Sequence, residues 1–230
     1  MPGKNSVKQY TDKGYYHIYN RGVEKRIIFQ EIQDYLVFLS YLKNYLLPKD
    51  EEKLKEKLSN PDTSYTDRDK IIKLLRLNNF ADEINLLAYC LMPNHFHFFI
   101  YQNSSISMDK FMNSLATRYS MYFNRKYKRV GPLYQDVYKA VLVANEEQFL
   151  HLTRYIHKQA LALQGDALQH GMTDQPSSYL DYIGNRKTKW VKTEEVLLYF
   201  SKSNPKLSYR AFVEEKDDIE LISELTLEDI

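Results

Sequence analysis

Two histidines separated by one apolar residue, His95-Phe96-His97, are the side chains in this sequence most suited to chemistry. On a strand, alternate side chains share a face, so both imidazoles would project together from Cα atoms about 7 Å apart. Neutral imidazole is a common metal ligand. Two ligands are too few for a closed structural site, so the pair predicts an open, catalytic site with a third protein ligand elsewhere. A polar strand surface without metal is the alternative interpretation.

A tyrosine and a glutamine one helical turn apart form the second group. Tyr155 and Gln159 would share one face of a helix because residues i and i+4 are neighbours there. The amide oxygen of Gln159 is a suitable ligand for Mg²⁺ or Mn²⁺. A nearby cation would favour the ionised, nucleophilic form of the Tyr155 phenol. With 20 tyrosines in the chain, a packing role is the alternative. His157 is expected to point away from this site.

Residue patterns predict the elements that would position these groups. Aromatic and β-branched runs indicate strands, and apolar residues at helical spacing indicate amphipathic helices. Asn145 is the predicted N-cap of the helix that carries Tyr155. The predicted strands are 15–20, 84–92, 95–102 and 133–143; the main helices are 31–46, 107–127 and 146–163, with two short helices near 50–58 and 67–78.

The order β-α-ββ-α-β-α predicts an α+β fold, in which helices cover one face of an antiparallel, ferredoxin-like sheet. We expect a catalytic domain over residues 1–165, with a charged helical insertion at 47–83. A C-terminal tail would follow at 166–230, and its acidic end at 217–230 is expected to lack fixed structure.

Composition limits the class of protein. Hydrophobic residues make up 43% of the chain, which is enough for a core, and a single cysteine excludes an internal disulfide framework. No apolar run is long enough for a membrane span, and the N-terminus has no signal core, so we expect a soluble cytoplasmic protein. Residues 101–160 carry a net charge of +5 and residues 161–230 one of −5. The basic segment suits a phosphate backbone, although on charge alone ordinary solvated helix surface is the favoured explanation.

The ordered motifs resemble one family, the single-tyrosine transposases with a His-hydrophobe-His signature. The stretch LMPNHFHFFI is similar to that signature, and TRYIHKQAL is similar to the family's tyrosine helix. The segments YHIYNRGVEKRIIF, RVGPLYQDVYKAV and DQPSSYLDYIG also resemble the family, the last of them the REP-associated branch. That branch usually has Asn-Pro where this chain has Gln159-Ala160, whereas insertion-sequence relatives have glutamine.

The resemblance implies a Mg²⁺- or Mn²⁺-dependent enzyme that acts on single-stranded DNA, often at hairpins. Tyr155 would attack a phosphodiester to give a 5′-phosphotyrosine link, with His95, His97 and Gln159 as metal ligands. His17 faces the same sheet, and a structural role is favoured over a role at the metal. The basic candidates for DNA binding are Arg21, Lys25, Arg26, Arg154, Arg125 and Lys126, the last two in a patch with Lys128 and Arg129.

Two other functions compete with the strand-transferase. One is a domesticated protein that binds hairpin DNA without transposition, and the other is a metal-dependent endonuclease in which water attacks instead of Tyr155. A monomer is favoured weakly over a dimer in which the tyrosine helix serves the partner's histidines. The role of the 47–83 insertion stays open.

Overall fold

A four-stranded antiparallel sheet forms the centre of the protein, whose structure, a computed structural model, describes residues 10–162 and 176–215. The strands are β1 (Gly14–Arg21), β2 (Ile84–Met92), β3 (His95–Gln102) and β4 (Lys139–Leu142). They lie in the order β2-β3-β1-β4. This order, with a helix after β1 and after β3, is the split βαβ arrangement, so the predicted ferredoxin-like α+β class is confirmed.

Eight α-helices surround the sheet within the described residues. They are α1 (Ile32–Leu46), α2 (Glu51–Ser59), α3 (Tyr65–Arg76), α4 (Ser107–Lys126), α5 (Glu146–Ala162), α6 (Tyr179–Tyr182), α7 (Glu194–Leu197) and α8 (Tyr209–Glu214). Short 3-10 turns occur at Val23–Lys25 and Pro205–Leu207. No helix in the described part of the chain is both long and apolar enough to cross a membrane.

Helices α1 and α4 cover one face of the sheet. Phe38 and Leu42 of α1 and Phe111 and Leu115 of α4 are almost fully buried there, at the i, i+4 spacing of an amphipathic helix. They pack on the residues of β1 and β3 that alternate with the histidines, which are Ile18, Phe96, Phe98 and Ile100. This core fixes which face of β3 remains for His95 and His97.

The opposite face is also covered, which corrects the expectation of helices on one face only. Leu152, Ile156 and Ala160 of α5 are fully buried in a second cluster with Phe99 and Cys90. The reason lies in the strands, because β2 and β3 are buried almost throughout rather than on alternate residues. Strands with two apolar faces need a layer on each side.

Residues 176–215, which lie in the segment expected to be a tail, pack beside α5 on this second face. The amide of Leu91 donates to the Pro176 carbonyl at 2.8 Å, and the amide of Lys192 donates to the Leu86 carbonyl at 2.9 Å. Trp190 instead joins the core on the first face, where it stacks on Tyr89 with ring centroids 5.4 Å apart. The domain boundary at residue 165 stays a prediction, and residues 217–230 lie outside the described part.

Two predicted elements differ in character from the rest. The helices of the insertion form as expected, and Ile71 is their only fully buried residue, so α2 and α3 remain a solvated layer. The strand predicted over 133–143 is shorter, because only Lys139–Leu142 pairs with β1. Residues before it form an irregular segment in which Tyr134 makes a single bridge to Gly22.

Candidate active site

His95 and His97 lie side by side on the face of the sheet that α5 covers. Their ring centroids are 4.9 Å apart, and His97 is fully buried whereas His95 is partly exposed. The pairing of β1 with β3 places Tyr19 opposite His97 and Arg21 opposite His95. Directly paired residues share a face, so β1 supplies the neighbours of both imidazoles. The predicted common face of the histidine pair is therefore present.

Each imidazole has a hydrogen bond at its Nδ1 atom. His95 Nδ1 lies 2.6 Å from Asn94 Oδ1, and His97 Nδ1 lies 2.9 Å from His17 Nε2. The Asn94 side chain is oriented by its own amide nitrogen, which donates to the Lys25 carbonyl at 3.3 Å. With both Nδ1 atoms engaged, a metal ion would be bound through the two Nε2 atoms.

The turn that holds Asn94 depends on close packing around Gly22. The Gly22 amide donates to the Asn94 carbonyl at 2.8 Å. A Cβ atom at this position would lie 2.3 Å from the Arg26 carbonyl oxygen, which is too close for any side chain. Gly22 therefore lets the loop after β1 fold against the turn before β3.

Tyr155 projects from α5 onto the histidines of the same chain. Its ring centroid is 5.4 Å from that of His97 and 6.1 Å from that of His17, and both contacts are close to perpendicular. The Tyr155 side chain is half-buried, as is that of Gln159 one turn later. Asn145 Oδ1 accepts the Gln148 amide at 2.8 Å, so the predicted N-cap of this helix is confirmed.

The C-terminal segment fixes the rotation of α5. His157, on the other side of the helix, is fully buried between Tyr209 Oη, 2.6 Å from its Nδ1, and Ser178 Oγ, 2.7 Å from its Nε2. Burial, and to a lesser extent the charge of Arg186, lowers the pKa of His157 to about 3. A neutral His157 with two hydrogen bonds holds the helix so that Tyr155 faces the sheet, and its ring points to Tyr209 and Ser178, away from the predicted metal ligands as expected.

The donor set fits a catalytic divalent cation. Among the described residues, no group of three or more His, Cys, Asp or Glu side chains is placed to hold a metal ion. The predicted set differs from such groups, because it combines two imidazoles with the amide oxygen of Gln159. Two nitrogen ligands and one oxygen ligand leave coordination positions for phosphate oxygens. The convergence of His95 and His97, both anchored at Nδ1, is consistent with this use.

Three of the basic candidates lie at the end of the sheet that carries His95. Arg21 is the β1 partner of His95 and is partly exposed. Lys25 is exposed, and its backbone carbonyl accepts the hydrogen bond from the Asn94 side-chain amide. Arg26 lines a surface cleft together with Arg129 at the end of α4. Desolvation, and next the positive charge of Arg26, lower the pKa of Arg129.

Arg154 is committed to contacts within the protein. It is only 5% exposed, its Nη2 donates to the Glu215 carbonyl at 2.6 Å, and its guanidinium lies 5.0 Å from the centre of the Phe212 ring. These contacts tie α5 to α8. A phosphate would find little of this side chain accessible, so its position favours a structural role.

Lys126 is likewise engaged by acidic groups, whereas Arg125 beside it is exposed. Lys126 Nζ lies 2.5 Å from both Asp34 Oδ1 and Glu31 Oε1. Burial by itself would raise the pKa of Asp34, but hydrogen bonds from Lys126 and Tyr127 lower it below its ordinary value. The lysine therefore neutralises a fully buried carboxylate that caps α1.

We expect Lys126→Met to destabilise the fold by about 3 kcal/mol, because it leaves the buried Asp34 charge without its cation. Urea denaturation would measure the loss. Arg125→Met is the matched control, with an expected change within about 0.5 kcal/mol for a surface site. Equal stability of the two variants would show that the four hydrogen bonds from two tyrosines and two backbone amides suffice for Asp34.

The sequence did not predict the Nδ1 partner of His95, nor that Arg26 and Arg129 line the same cleft. Asn94 directly precedes His95, so its position in the sequence was a usable signal for this contact. Arg26 and Arg129 come from a loop and a helix end far apart in sequence. No local pattern indicates that they share one cleft.

Comparison with known proteins gives a family match over part of the chain. The model of a family described as IS200-like transposases matches residues 61–159. No curated protein sequence matches the chain. A structure of a REP-associated tyrosine transposase bound to a REP hairpin aligns at 11% identity and a TM-score of 0.40, over 82% of this chain and 96% of that one. A Deinococcus radiodurans R1 protein assigned as a transposase aligns at 16% identity and a TM-score of 0.29, over 67% of this chain and 97% of that one.

The matched segment begins within the helical insertion and ends one turn after the tyrosine. It contains β2, β3, α4, β4 and most of α5, which are the elements that carry the histidine pair and the tyrosine. The resemblance to the single-tyrosine transposases is thus confirmed, and the segment that matches the IS200-like transposases contains the four predicted site residues, His95, His97, Tyr155 and Gln159.

Proposed function

We propose that this protein is a metal-dependent DNA strand-transferase that cleaves and rejoins single-stranded DNA, at hairpins, through a 5′-phosphotyrosine intermediate. The observation that carries the proposal is the position of Tyr155, whose ring lies 5.4 Å from that of His97 in the same chain. The proposed nucleophile is thus adjacent to a proposed metal ligand within one chain. The family match over residues 61–159 supports the same class of activity.

His95, His97 and Gln159 are the residues that would hold Mg²⁺ or Mn²⁺. When bound, the ion would neutralise phosphate oxygens and favour the ionised form of a nearby phenol. Asn94 and His17 hold the two imidazoles at Nδ1, and α5 presents Tyr155 and Gln159 together from one rigid element. The chain therefore supplies orientation as well as the nucleophile.

Tyr155 Oη would attack the phosphorus of a phosphodiester and lose its phenolic proton. The new Oη–P bond replaces the P–O3′ bond, so a free 3′-hydroxyl leaves and the 5′ side stays on the protein. Attack of a 3′-hydroxyl on the phosphotyrosine reverses these bond changes and rejoins a strand. The phosphotyrosine conserves the energy of the phosphodiester, so no nucleotide cofactor is needed.

A monomer is the form that we propose to be active, because one chain contains both the histidine pair and the tyrosine that faces it. A mode in which the tyrosine helix served a partner's histidines would require α5 to leave its own core. Leu152, Ile156 and Ala160 are fully buried in that core. Their exposure would be costly, because each buried aliphatic side chain contributes on the order of 1–3 kcal/mol.

Incubation of the protein with a pool of single-stranded hairpin DNAs in Mn²⁺, followed by denaturing electrophoresis, tests the proposal. We expect a slowly migrating covalent adduct that retains a label on the DNA strand 3′ of the cleavage point and disappears in EDTA. Cleavage without an adduct would favour the endonuclease in which water attacks. Binding with neither product across a broad pool would favour the domesticated DNA-binding protein.

For DNA binding, we propose Arg21, Lys25 and Arg26 at the histidine end of the sheet, together with Arg129 across the cleft from Arg26. Two guanidinium groups brought together in one cleft create a positive potential that a phosphodiester can relieve. Arg125 is the exposed candidate farther along this edge, whereas Lys126 and Arg154 already bind groups of the protein.

Arg26→Ala and Arg129→Ala are each expected to weaken binding of single-stranded DNA and to reduce the slope of log K against log salt by about 0.7. Fluorescence anisotropy at salt concentrations between about 50 and 200 mM would provide the slopes. Lys110→Ala, an exposed lysine at the start of α4, is the control. Slopes that match the wild-type value in both arginine variants would remove this cleft from the DNA path.

A further inference from the structure

His17 occupies the middle of the sheet between the histidine pair and the tyrosine helix. It lies on β1, paired with Phe99 of β3 and Val141 of β4, and it is fully buried. Its ring plane lies at only 19° to that of His97, with centroids 5.1 Å apart, which suits a hydrogen bond between the ring edges. A buried imidazole in a sheet core loses its hydration, so its hydrogen bonds have to be made within the protein.

The hydrogen bond between His17 Nε2 and His97 Nδ1 is 2.9 Å long. Only one of these two nitrogens can carry the hydrogen. A metal ion bound at Nε2 of His97 needs the lone pair of that atom, so the ring hydrogen of a neutral His97 has to reside on Nδ1. His97 then donates, and His17 accepts at Nε2 while its own hydrogen is on Nδ1.

We propose that His17 is a positioning residue, which accepts the Nδ1 hydrogen of His97 and so presents the Nε2 atom of His97 to the divalent ion. The proposal rests on the proposed function, because it assumes that His97 is a metal ligand. It assigns to His17 a part in the metal site without direct coordination. Partners of this kind fix both the ring orientation and the tautomer of a ligand.

The second histidine of the pair has an equivalent arrangement. Asn94 Oδ1 accepts from His95 Nδ1 at 2.6 Å, and the amide nitrogen of Asn94 is directed to the Lys25 carbonyl. One acceptor per proposed ligand, provided from different elements, orients each imidazole through Nδ1, so Nε2 is the atom through which each ring would bind the ion. Direct coordination by His17 through Nε2 would break its 2.9 Å hydrogen bond to His97 Nδ1, which disfavours a role as a ligand.

His17 also contacts Tyr155, with ring centroids 6.1 Å apart at 79°. A substitution at residue 17 can therefore act through lost packing or through the lost acceptor. Leucine fills a similar volume without an acceptor, whereas glutamine keeps a carbonyl oxygen near the position of Nε2. These two variants separate the contributions.

Titration of the metal-free protein with Mn²⁺, followed by electron paramagnetic resonance, tests the proposal independently of DNA cleavage. We expect His17→Leu to weaken Mn²⁺ binding by about 10–100-fold, and His17→Gln to retain most of the wild-type affinity. Val141→Ala, which alters packing beside His17 and keeps the acceptor, should stay within about threefold of wild type by the same measure. Electron spin-echo modulation of the wild-type complex should show two coordinated imidazoles.

Three results would overturn the proposal. Three coordinated imidazoles would show that His17 is itself a ligand. Equal losses of Mn²⁺ affinity in His17→Leu and His17→Gln would show that it acts by packing. An unchanged Mn²⁺ affinity in His17→Leu would show that it has no part in the metal site. Should His17→Leu fail to fold, long-range ¹H–¹⁵N spectra of the metal-free wild type provide the test, with the hydrogen expected on Nδ1 of both rings. Wild-type protein that does not bind Mn²⁺, or His97→Ala that still does, would instead contradict the metal site of the proposed function.

Discussion

Tyr155→Phe is expected to abolish the covalent protein–DNA adduct and to reduce strand cleavage by about 10³-fold or more. The change removes one oxygen atom and keeps the ring that packs on His97 and His17, so the fold and the metal site should be preserved. Single-turnover assays with labelled hairpin DNA in Mn²⁺ would measure both products. Binding of uncleaved DNA should remain within about threefold, because the phenol contributes to chemistry rather than to affinity.

Tyr101→Phe is the matched control for this experiment. Tyr101 is a half-buried tyrosine on the histidine face of β3, at the opposite end of the strand from His95. Its loss should leave adduct formation unchanged. If Tyr155→Phe cleaves at a normal rate without forming an adduct, water is the attacking nucleophile. If an adduct persists in this variant, another tyrosine is the nucleophile.

His97→Ala should remove both metal binding and activity. Loss of a residue that only orients a ligand costs about 10–100-fold in metal affinity, so loss of a ligand should exceed about 100-fold. Mn²⁺ titration of the free protein and adduct formation at saturating DNA would measure the two effects. The variant should still bind DNA, since the basic residues at the end of the sheet are unchanged.

His151→Ala provides the comparison for this second prediction. His151 lies on the same helix as Tyr155, and its ring centroid is 5.5 Å from that of Phe212 in α8. Its removal should leave the Mn²⁺ affinity within about twofold of wild type. This change is far smaller than that expected when a residue that orients a metal ligand is lost. Tight Mn²⁺ binding by His97→Ala would require a different set of ligands altogether.

The common face of His95 and His97 could be predicted because strand geometry is local: two residues along a strand return to the same side. The N-cap at Asn145 was predictable for the same reason, since a cap is recognised from its own residue and the next turn. The split βαβ order likewise followed from the alternation of apolar patterns. These features depend on residues close together in sequence.

Features that depend on distant pairs were not predictable. Lys126 was a candidate for DNA binding by its charge, yet Asp34, 92 residues earlier, binds it. Arg154 directly precedes the tyrosine, yet its guanidinium reaches the carbonyl of Glu215, 61 residues later. The sequence gives the charge of a side chain, but tertiary packing decides whether a group of the protein binds that charge.

The anchoring of α5 by later parts of the chain affects the order in which the protein becomes competent during synthesis. His157 is held by Ser178 and Tyr209, and Arg154 by Glu215, all of which leave the ribosome after the tyrosine helix. A nascent chain that has just exposed Tyr155 therefore lacks the contacts that direct this residue to the histidines. We therefore expect the proposed reactive centre to be assembled only after residues 176–215 have been synthesised, and on the proposed function an unfinished polypeptide would not cleave DNA.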